Sequence, residues 1–515
     1  MSRMKTQKIH SVKFNFIMNF ILTASSILFP LITFPDVSGI LLPAGTGRVS
    51  FAVSLVSYFT MVAMLGVPTY GVRAVARVRD NKRELSATVQ ELMIINLCMA
   101  AVAYAAFFIA LAVVPKMEQS RTLMLICSSA ILLNAIGVTW FYQGMEQYAY
   151  ITWASIGAKV ISMVMMFLCI HSPKDYLWYG VMSVISSFGS YILNFLRLPS
   201  YIDMKPVIDM KPVRPWNFRR HLKPIMTFFA MSVATTIYTE MDKVMLGFMT
   251  TDYEVGLYDA AGKIKILLVS LVTSLGTVLL PRLSVFIQKK EIREFEALVS
   301  KAMSFVLLFS VPTVIFAILW SGQILTVIAG PEYLPAAAAM NLLMPTVLLI
   351  GLSNITGIQI LVPTGRENMT LISVVAGALL DLVLNLLCIP RFGAAGAAFG
   401  TLSAELLVLL IQAWSLKDLI LKILPQVEFR QLVISQLMAL PALFLVLVLP
   451  AWMGSGRGMS LVMIVIGALA YYGLYGIGLI LTKETILKGI VNGFLPRHRS
   501  QGLQGSVSND KLEGK

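Results

Sequence analysis

Residues 237–247 read IYTEMDKVMLG, and residues 255–265 read VGLYDAAGKIK. Apolar runs flank this pair of segments at 224–239 and 266–280, so both segments fit helices that cross a membrane. A charge at the centre of such a helix costs about 2.5–3.5 kcal/mol. Charges this close together need pairing, water or a function, and the two segments therefore predict a polar site within the membrane. The charged residues are Glu240, Asp242, Lys243, Asp259, Lys263 and Lys265.

Composition places the whole chain in a membrane. The sequence has 515 residues, of which 57% are hydrophobic and 13% are charged, and its mean hydropathy is +0.79. So little polar surface cannot cover a soluble globule of this length. The four cysteines lie in apolar runs without the spacing of metal ligands, so the sequence predicts neither a metal site nor a cofactor.

Apolar runs divide the chain into membrane-spanning lengths of about 20 residues each. They predict an all-α integral membrane protein with about fourteen transmembrane helices. The runs are 12–34, 49–67, 88–114, 123–142, 151–170, 177–196, 224–248, 257–280, 303–320, 335–361, 369–389, 394–414, 432–449 and 459–481.

The placement of lysine and arginine gives an orientation. With a cytoplasmic N-terminus, few of the 41 basic residues fall in outer segments, which is the positive-inside pattern. Both termini are therefore predicted to be cytoplasmic. Basic inner loops facing anionic membrane lipids account for the net charge of +15, and no nucleic acid is expected as a partner. The outer segments hold little more than Arg48, Lys116, Arg121, Lys174, Arg391 and Arg457.

A weak internal repeat appears when the chain is shifted by 209 residues. The shift lays Gly47 on Gly256, Ala52 on Ala261 and Arg73 on Arg282. It predicts two pseudo-symmetric six-helix lobes, residues 1–213 and 214–425, followed by two helices in 426–482. A cytoplasmic tail follows at 483–515, and its composition predicts disorder from 497. Two repeats related by an axis along the membrane normal are typical of alternating-access transporters, which rock two lobes about a central site.

Several motifs follow one another in a specific order: FPDVS at 34–38, GTGRVSFA at 45–52, YGVR at 70–73, WFYQG at 140–144 and GAAGAA at 393–398. In this order they resemble the polysaccharide-export flippases. These form the O-antigen and teichoic-acid transporter family of the multidrug/oligosaccharidyl-lipid/polysaccharide exporter superfamily. The resemblance runs from residue 14 to about residue 405. The chain departs from the family at Gly39, which is usually basic, at Leu42, usually glycine, and at Asp381, often asparagine.

The resemblance implies a transporter and not an enzyme. Its substrate would be an undecaprenyl-pyrophosphate-linked oligosaccharide, flipped across the cytoplasmic membrane of a bacterium for O-antigen, capsule or teichoic-acid type polysaccharide. Implied partners are this lipid-linked substrate, membrane lipids and the polysaccharide polymerase machinery. The sequence has no phosphate-binding loop of the Gly-x-x-x-x-Gly-Lys-Ser/Thr type, so coupling to a gradient of H⁺ or Na⁺ is expected.

A pyrophosphate needs cationic side chains to replace its hydration inside a membrane. Lys263 is the leading candidate because its predicted helix places it roughly 15 Å deep. Asp259 lies four residues earlier on the same face and could hold the lysine while the site is empty. Glu240 and Lys243 have a similar spacing on the preceding helix. For Asp242 and Lys243 the alternative is that both side chains extend to the outer interface.

The other candidates keep two interpretations. Asp381 and Glu405 either bind the coupling cation or make a polar packing contact with Asn385. Lys159 in the fifth predicted helix faces a cavity or packs between helices. Arg73 and Arg282, at equivalent inner ends, either receive the incoming pyrophosphate or follow the positive-inside pattern.

Two other functions remain as alternatives. An ion-coupled multidrug exporter of the same superfamily would need a more apolar or acidic cavity, because membrane lysines repel cationic drugs. A membrane glycosyltransferase or polymerase would need a sizeable catalytic loop outside the membrane. The predicted outer segments are too short to supply one.

Overall fold

The computed structural model describes residues 11–203, 216–453 and 456–482, and every regular element within them is helical. The predicted tail at 483–515, including its expected disorder, lies outside the described residues. The first predicted lobe contains α1 (Val12–Met64), α2 (Val67–Val78), α3 (Lys82–Val113), α4 (Pro115–Gln119), α5 (Arg121–Ile136), α6 (Thr139–Gly144), α7 (Tyr148–Cys169) and α8 (Tyr176–Arg197).

The rest of the described chain continues the same pattern. Short 3₁₀ turns lie at 173–175, 198–200, 331–336 and 424–426, and a π-helical turn occupies 354–361. The helices are α9 (Arg219–Met249), α10 (Asp252–Gln288), α11 (Ile292–Leu319), α12 (Ser321–Ile328), α13 (Ala337–Leu343), α14 (Pro345–Ser353), α15 (Glu367–Ser415), α16 (Lys417–Ile423), α17 (Phe429–Leu443), α18 (Leu445–Met453) and α19 (Arg457–Leu481).

Within the described residues, eleven helical segments are long and apolar enough to cross a membrane, so the protein is a multi-pass membrane protein. Two of these segments contain a residue with non-helical backbone: Leu42 in α1 and Gly393 in α15. Helix α9 is 31 residues long and is not among the eleven. Dividing the two broken segments and adding α9 would give fourteen, so the exact number stays a prediction.

The first outer loop is shorter than expected. The sequence predicts non-helical chain between residues 34 and 49, whereas α1 continues through this region and is interrupted only at Leu42 (φ 62°, ψ 172°). Pro43 follows the break, and proline suits the first position of a helix because it has no amide hydrogen to leave unpaired. The two halves of α1 therefore meet in a tight corner.

The second half of α1 crosses α10 at two glycines. A β-carbon on Gly47 would lie 1.8 Å from the Asp252 carbonyl oxygen, and one on Gly256 would lie 1.9 Å from the Pro43 carbonyl oxygen. Only glycine permits backbones to approach this closely. Around the crossing lies an apolar core that includes Phe51, Leu246 and Ile264.

The two ends of the bundle are named here after the predicted orientation. Asp252, just beyond the last residue of α9, marks the outer end, and Arg220, at the start of α9, marks the inner end. Because α9 is 31 residues long, these ends are about 45 Å apart.

Candidate functional site

Helices α1, α2, α5, α8 and α9 line a cavity of 380 Å³, which we call the central cavity. Its walls mix apolar side chains with hydroxyl groups, among them Ser57 and Thr60 of α1, Ser232 of α9 and Ser187 of α8. Glu240 is the candidate charge that lines this cavity. A chamber with hydroxyl groups and a charge is suited to a polar ligand that must be kept from lipid.

Contacts between the two predicted lobes flank the cavity at both ends. At the outer end, Asp252 accepts from Arg48 Nε at 2.9 Å and pairs with Lys116 Nζ at 3.0 Å. At the inner end, Glu91 of α3 accepts from Arg220 Nη2 at 2.6 Å, and His221 Nε2 lies 2.6 Å from the same carboxylate oxygen. Each set joins one predicted lobe to the other.

Lys263 and Asp259 form the ion pair that their spacing predicts. The Lys263 ammonium also lies 4.2 Å from the centroid of the Phe34 ring, which gives a cation–π contact. Both side chains are largely buried, with exposed fractions of 20% and 14%. The structure therefore places this lysine at the interface of the two predicted lobes, held by its own carboxylate.

Glu240 and Lys243 form a second pair at 2.8 Å on α9. Glu240 also accepts a hydrogen bond of 2.7 Å from the Ser54 hydroxyl on α1. The interfacial position considered for Lys243 is not what the structure shows, since its ammonium is bound to a cavity-lining carboxylate.

Asp242 lies away from the cavity, in a buried cluster with α10 and α15. Its carboxylate accepts from Asn385 Nδ2 at 2.7 Å, from Thr401 Oγ1 at 2.7 Å and from the Tyr258 hydroxyl. Only 5% of the residue is exposed. The alternative in which Asp242 extends to the interface is therefore wrong. Successive residues of a helix differ in direction by about 100°, so Asp242 points away from the face that Glu240 and Lys243 share.

Asp381 joins the same cluster. Its carboxyl group approaches that of Asp242, and a β-carbon on Gly400 would lie 2.7 Å from Asp381 Oδ1 and 2.5 Å from Asn385 Oδ1. Neither of these buried oxygens has a hydrogen-bond partner in the described part of the chain. Two unsatisfied oxygens beside a carboxylate are the kind of ligand set that a hard cation prefers. We call Asp242, Asp381, Asn385 and Thr401 the carboxylate cluster.

Glu405 borders this cluster and is 6% exposed. Tyr238 and Lys265 lie near Glu405, and Lys265 also lies near Asp381. Lys265 thus faces away from Lys263, as two residues of separation predict, and towards the acidic groups.

The remaining candidates are separate from these groups. Lys159 is 6% exposed and donates to the hydroxyls of Ser25 and Ser26 at 2.8 and 2.9 Å. Arg73 is exposed, and its guanidinium lies 5.1 Å from the Phe228 ring centroid. Arg282 is exposed on α10. The structure does not bring the two arginines into the cavity.

Sequence reasoning did not identify several hydroxyl groups at these sites. Thr401 and Tyr258 bind Asp242, and Ser54 binds Glu240. A hydroxyl in an apolar helix usually hydrogen-bonds to the backbone of its own helix, so the residue type alone does not predict a functional role. The repeat does single out Ser54, because the shift of 209 residues lays Ser54 on Lys263.

Comparison with known sequences gives full-length relatives. A putative O-antigen transporter of Shigella dysenteriae is 25% identical over 410 residues, covering 79% of this chain and 100% of that protein. A putative O-antigen transporter of Escherichia coli K12 is 22% identical over 405 residues, covering 79% of this chain and 96% of the relative. A probable low-salt glycan biosynthesis flippase of Haloferax volcanii is 27% identical over 173 residues, 33% of this chain and 36% of that protein.

Solved structures share the fold. The lipid II flippase MurJ in an inward closed conformation matches with a TM-score of 0.65 at 16% identity, covering 92% of this chain and 100% of that one. An inward-facing multidrug transporter of the MATE family, in the MOP superfamily, matches with a TM-score of 0.59 at 16% identity, covering 79% and 98%.

Family models agree with these relatives. The MatE model matches residues 228–387, and the model described as polysaccharide biosynthesis protein matches residues 12–287, more than half of the chain. The order of motifs that resembles the polysaccharide-export flippases is thereby confirmed as a family relationship. The chain belongs to the polysaccharide biosynthesis protein family of multi-pass membrane proteins.

Proposed function

We propose that this protein is a flippase that moves lipid-linked oligosaccharide repeat units between the leaflets of a bacterial cytoplasmic membrane by alternating access. The observation that carries the proposal is the hydroxyl-lined cavity beside the Glu240–Lys243 pair, in a chain whose full-length relatives are named as O-antigen transporters. A polar cavity removes the cost of taking sugars through hydrocarbon, while the lipid tail stays in the bilayer.

Two sets of contacts support alternation. Arg48 and Asp252 hold the outer end closed, and Glu91 and Arg220 hold the inner end. Breaking one set while the other stays formed exposes the cavity to one side at a time. Both termini are cytoplasmic in this proposal, so the inner contacts open to admit substrate.

Lys263 is the proposed ligand of the pyrophosphate. Its ammonium is bound to Asp259 in this structure. This ion pair avoids the free-energy cost of an unpaired charge at the interface of the predicted lobes. An arriving pyrophosphate, with more negative charge than one carboxylate, would compete for the lysine and release the pair. Glu240 and Lys243 lie beside the cavity and can exchange partners in the same way.

The carboxylate cluster is the proposed site of the coupling cation. The orphaned Asp381 and Asn385 oxygens and the Asp242 carboxylate fit a monovalent cation such as Na⁺, or a proton shared between the two acids. Binding there would neutralise repulsion between Asp242 and Asp381 and tie α9 to α15. Since α9 also carries Glu240 and Arg220, cation binding would act on both the cavity and the inner contacts.

A multidrug exporter is the second candidate, because the fold also matches a MATE transporter and the carboxylate cluster is acidic. The basic side chains near the cavity favour an anionic substrate instead. Polysaccharide polymerase machinery is the proposed partner that receives the flipped units, and no catalytic reaction is assigned to this chain.

The experiment is deletion of the gene, followed by isolation of lipid-linked glycans from spheroplasts and digestion with an external glycosidase. Accumulation of a complete repeat unit that resists the glycosidase supports the flippase and identifies the sugar. Normal surface glycan together with altered efflux of cationic dyes would support the drug exporter instead.

A further inference from the structure

Lys159 is a buried cation without a carboxylate partner. Its ammonium can donate three hydrogen bonds, and the hydroxyls of Ser25 and Ser26 accept two of them. Among the described residues no carboxylate oxygen lies within the 4.0 Å that defines an ion pair with it, whereas Lys243 and Lys263 each have one. Two neutral hydroxyls do not neutralise a charge inside a membrane, so binding of an anion beside this lysine would be favourable.

Lys159 also lines a small cavity of 110 Å³ between α1, α7 and α8. Hydroxyl groups dominate its polar wall: Ser162 on α7, and Tyr179, Ser183, Ser186 and Ser187 on α8. We call this space the Lys159 pocket. Because one water occupies about 30 Å³ in the liquid, the pocket has room for one small substituent and not for a whole sugar ring.

The pocket adjoins the central cavity. Ser183 and Ser187 line both spaces, so the Lys159 pocket lies directly beside the 380 Å³ chamber. Their hydroxyls can hydrogen-bond sugar hydroxyls or a carboxylate. The Lys159 pocket is thus a side pocket of the chamber in which the glycan is proposed to move.

We propose that the Lys159 pocket binds the carboxylate of an acidic sugar, such as a uronic acid, and that the transported repeat unit is therefore anionic. The proposal rests on the proposed flippase function. One cation and one small space match a single carboxylate. A pyrophosphate diester carries two charges and is attached to the lipid tail, so it fits this recess poorly.

The test measures the affinity of purified protein in lipid nanodiscs for trisaccharides attached to farnesyl pyrophosphate. The neutral probe contains three glucose residues. Each acidic probe has glucuronate in place of one glucose, at a different position in each probe. Wild-type protein is expected to bind one glucuronate probe about 10- to 100-fold more tightly than the neutral probe, the range for a charge-assisted hydrogen bond. Lys159→Gln should remove this preference and leave affinity for the neutral probe unchanged.

Two further variants separate recognition from folding. Ser187→Leu leaves Lys159 and its serine partners intact but fills space where the chamber and the Lys159 pocket adjoin, so it should also abolish the preference. Lys174→Gln, which removes an exposed lysine before α8, is the matched charge control and should retain it.

Equal affinity of wild-type protein for the acidic and neutral probes would overturn this inference alone, since binding of both would still support the proposed function. Equal weakening of both probes by Lys159→Gln would also overturn it, because the lysine would then bind the shared pyrophosphate or maintain the fold. Failure of wild-type protein to bind either probe would count against the proposed function as well.

Discussion

Gly47 and Gly256 make reciprocal backbone contacts. Gly47 abuts the carbonyl of Asp252, and Gly256 abuts the carbonyl of Pro43. The sequence repeat pairs the same positions, since the shift of 209 residues lays 47 on 256 and 43 on 252. The shift therefore turns the contact between Gly47 and Asp252 into the contact between Gly256 and Pro43. A twofold axis produces such a pair of equivalent contacts. The reciprocal contact is the arrangement that the predicted repeat would produce, and the division into two lobes stays a prediction.

Gly256→Ala should weaken closure of the outer end, because the new methyl group has no space against the Pro43 carbonyl. Overpacking of this kind costs about 1–3 kcal/mol, which would shift the ratio of outer-closed to outer-open states by a factor of about 5 to 160. The measurement is the rate at which a membrane-impermeant thiol reagent labels Arg48→Cys in a cysteine-free background, and the rate should rise. Gly262→Ala on the same helix is the control, since a β-carbon there meets nothing within 4 Å. Equal labelling in both variants would contradict the closure assigned to the glycine crossing.

Cross-links at either end should stop transport. In a background without the four native cysteines, the pairs Arg48→Cys/Asp252→Cys and Glu91→Cys/Arg220→Cys would each join the two predicted lobes where their side chains now bind. Oxidation should reduce export to background in both, and a reductant should restore it. If either cross-linked protein exports as fast as the same protein after treatment with the reductant, that end need not open during transport.

Asp242→Asn should remove stabilisation by the coupling cation. A ligand that binds only the folded protein raises its stability by RT ln(1 + [L]/Kd), about 2.7 kcal/mol at a hundred-fold excess over Kd. Wild-type protein should therefore melt at a higher temperature in NaCl than in choline chloride of equal ionic strength, or respond similarly to lowered pH if the ion is a proton. Asp36→Asn, at an exposed position on α1, is the control and should keep the response. A response that survives in Asp242→Asn would exclude the carboxylate cluster as the cation site.

The sequence predicted the helical membrane fold and the Asp259–Lys263 pair, because apolar length and helical spacing depend only on local order. It did not predict the corner at Leu42. Proline and glycine between residues 35 and 47 are typical of a loop, but burial of this segment against α10 overrides that preference. Tertiary contact, which a single sequence does not encode locally, decided the conformation.

The sequence identified the charged residues of the candidate site but not how they group, because tertiary contacts decide the grouping. Glu240, Asp242 and Lys243 are close in sequence, yet two face the cavity region as a pair and one joins α15. The partners of Asp242 come from residues 143 and 159 positions away, Asn385 and Thr401, and no spacing rule connects them. The repeat could have connected Lys263 to Ser54, because equivalent positions near a twofold axis lie close together.

Lys263→Ala should abolish export without loss of protein from the membrane. The variant removes the cation proposed to bind pyrophosphate, and it leaves Asp259 as an unpaired carboxylate at the lobe interface. Lys263→Arg keeps the charge and should retain partial export, whereas the double variant Lys263→Ala/Asp259→Ala removes the unpaired acid and should remain inactive. Lys301→Ala, at an exposed position on α11, is a better control than Lys265→Ala, because Lys265 lies near Asp381 and Glu405. Export by complementation of a deletion strain, normalised to protein in the membrane, is the measurement. Wild-type export by the double variant would show that the lysine serves only to neutralise Asp259, and the pyrophosphate ligand would have to be sought at Lys243.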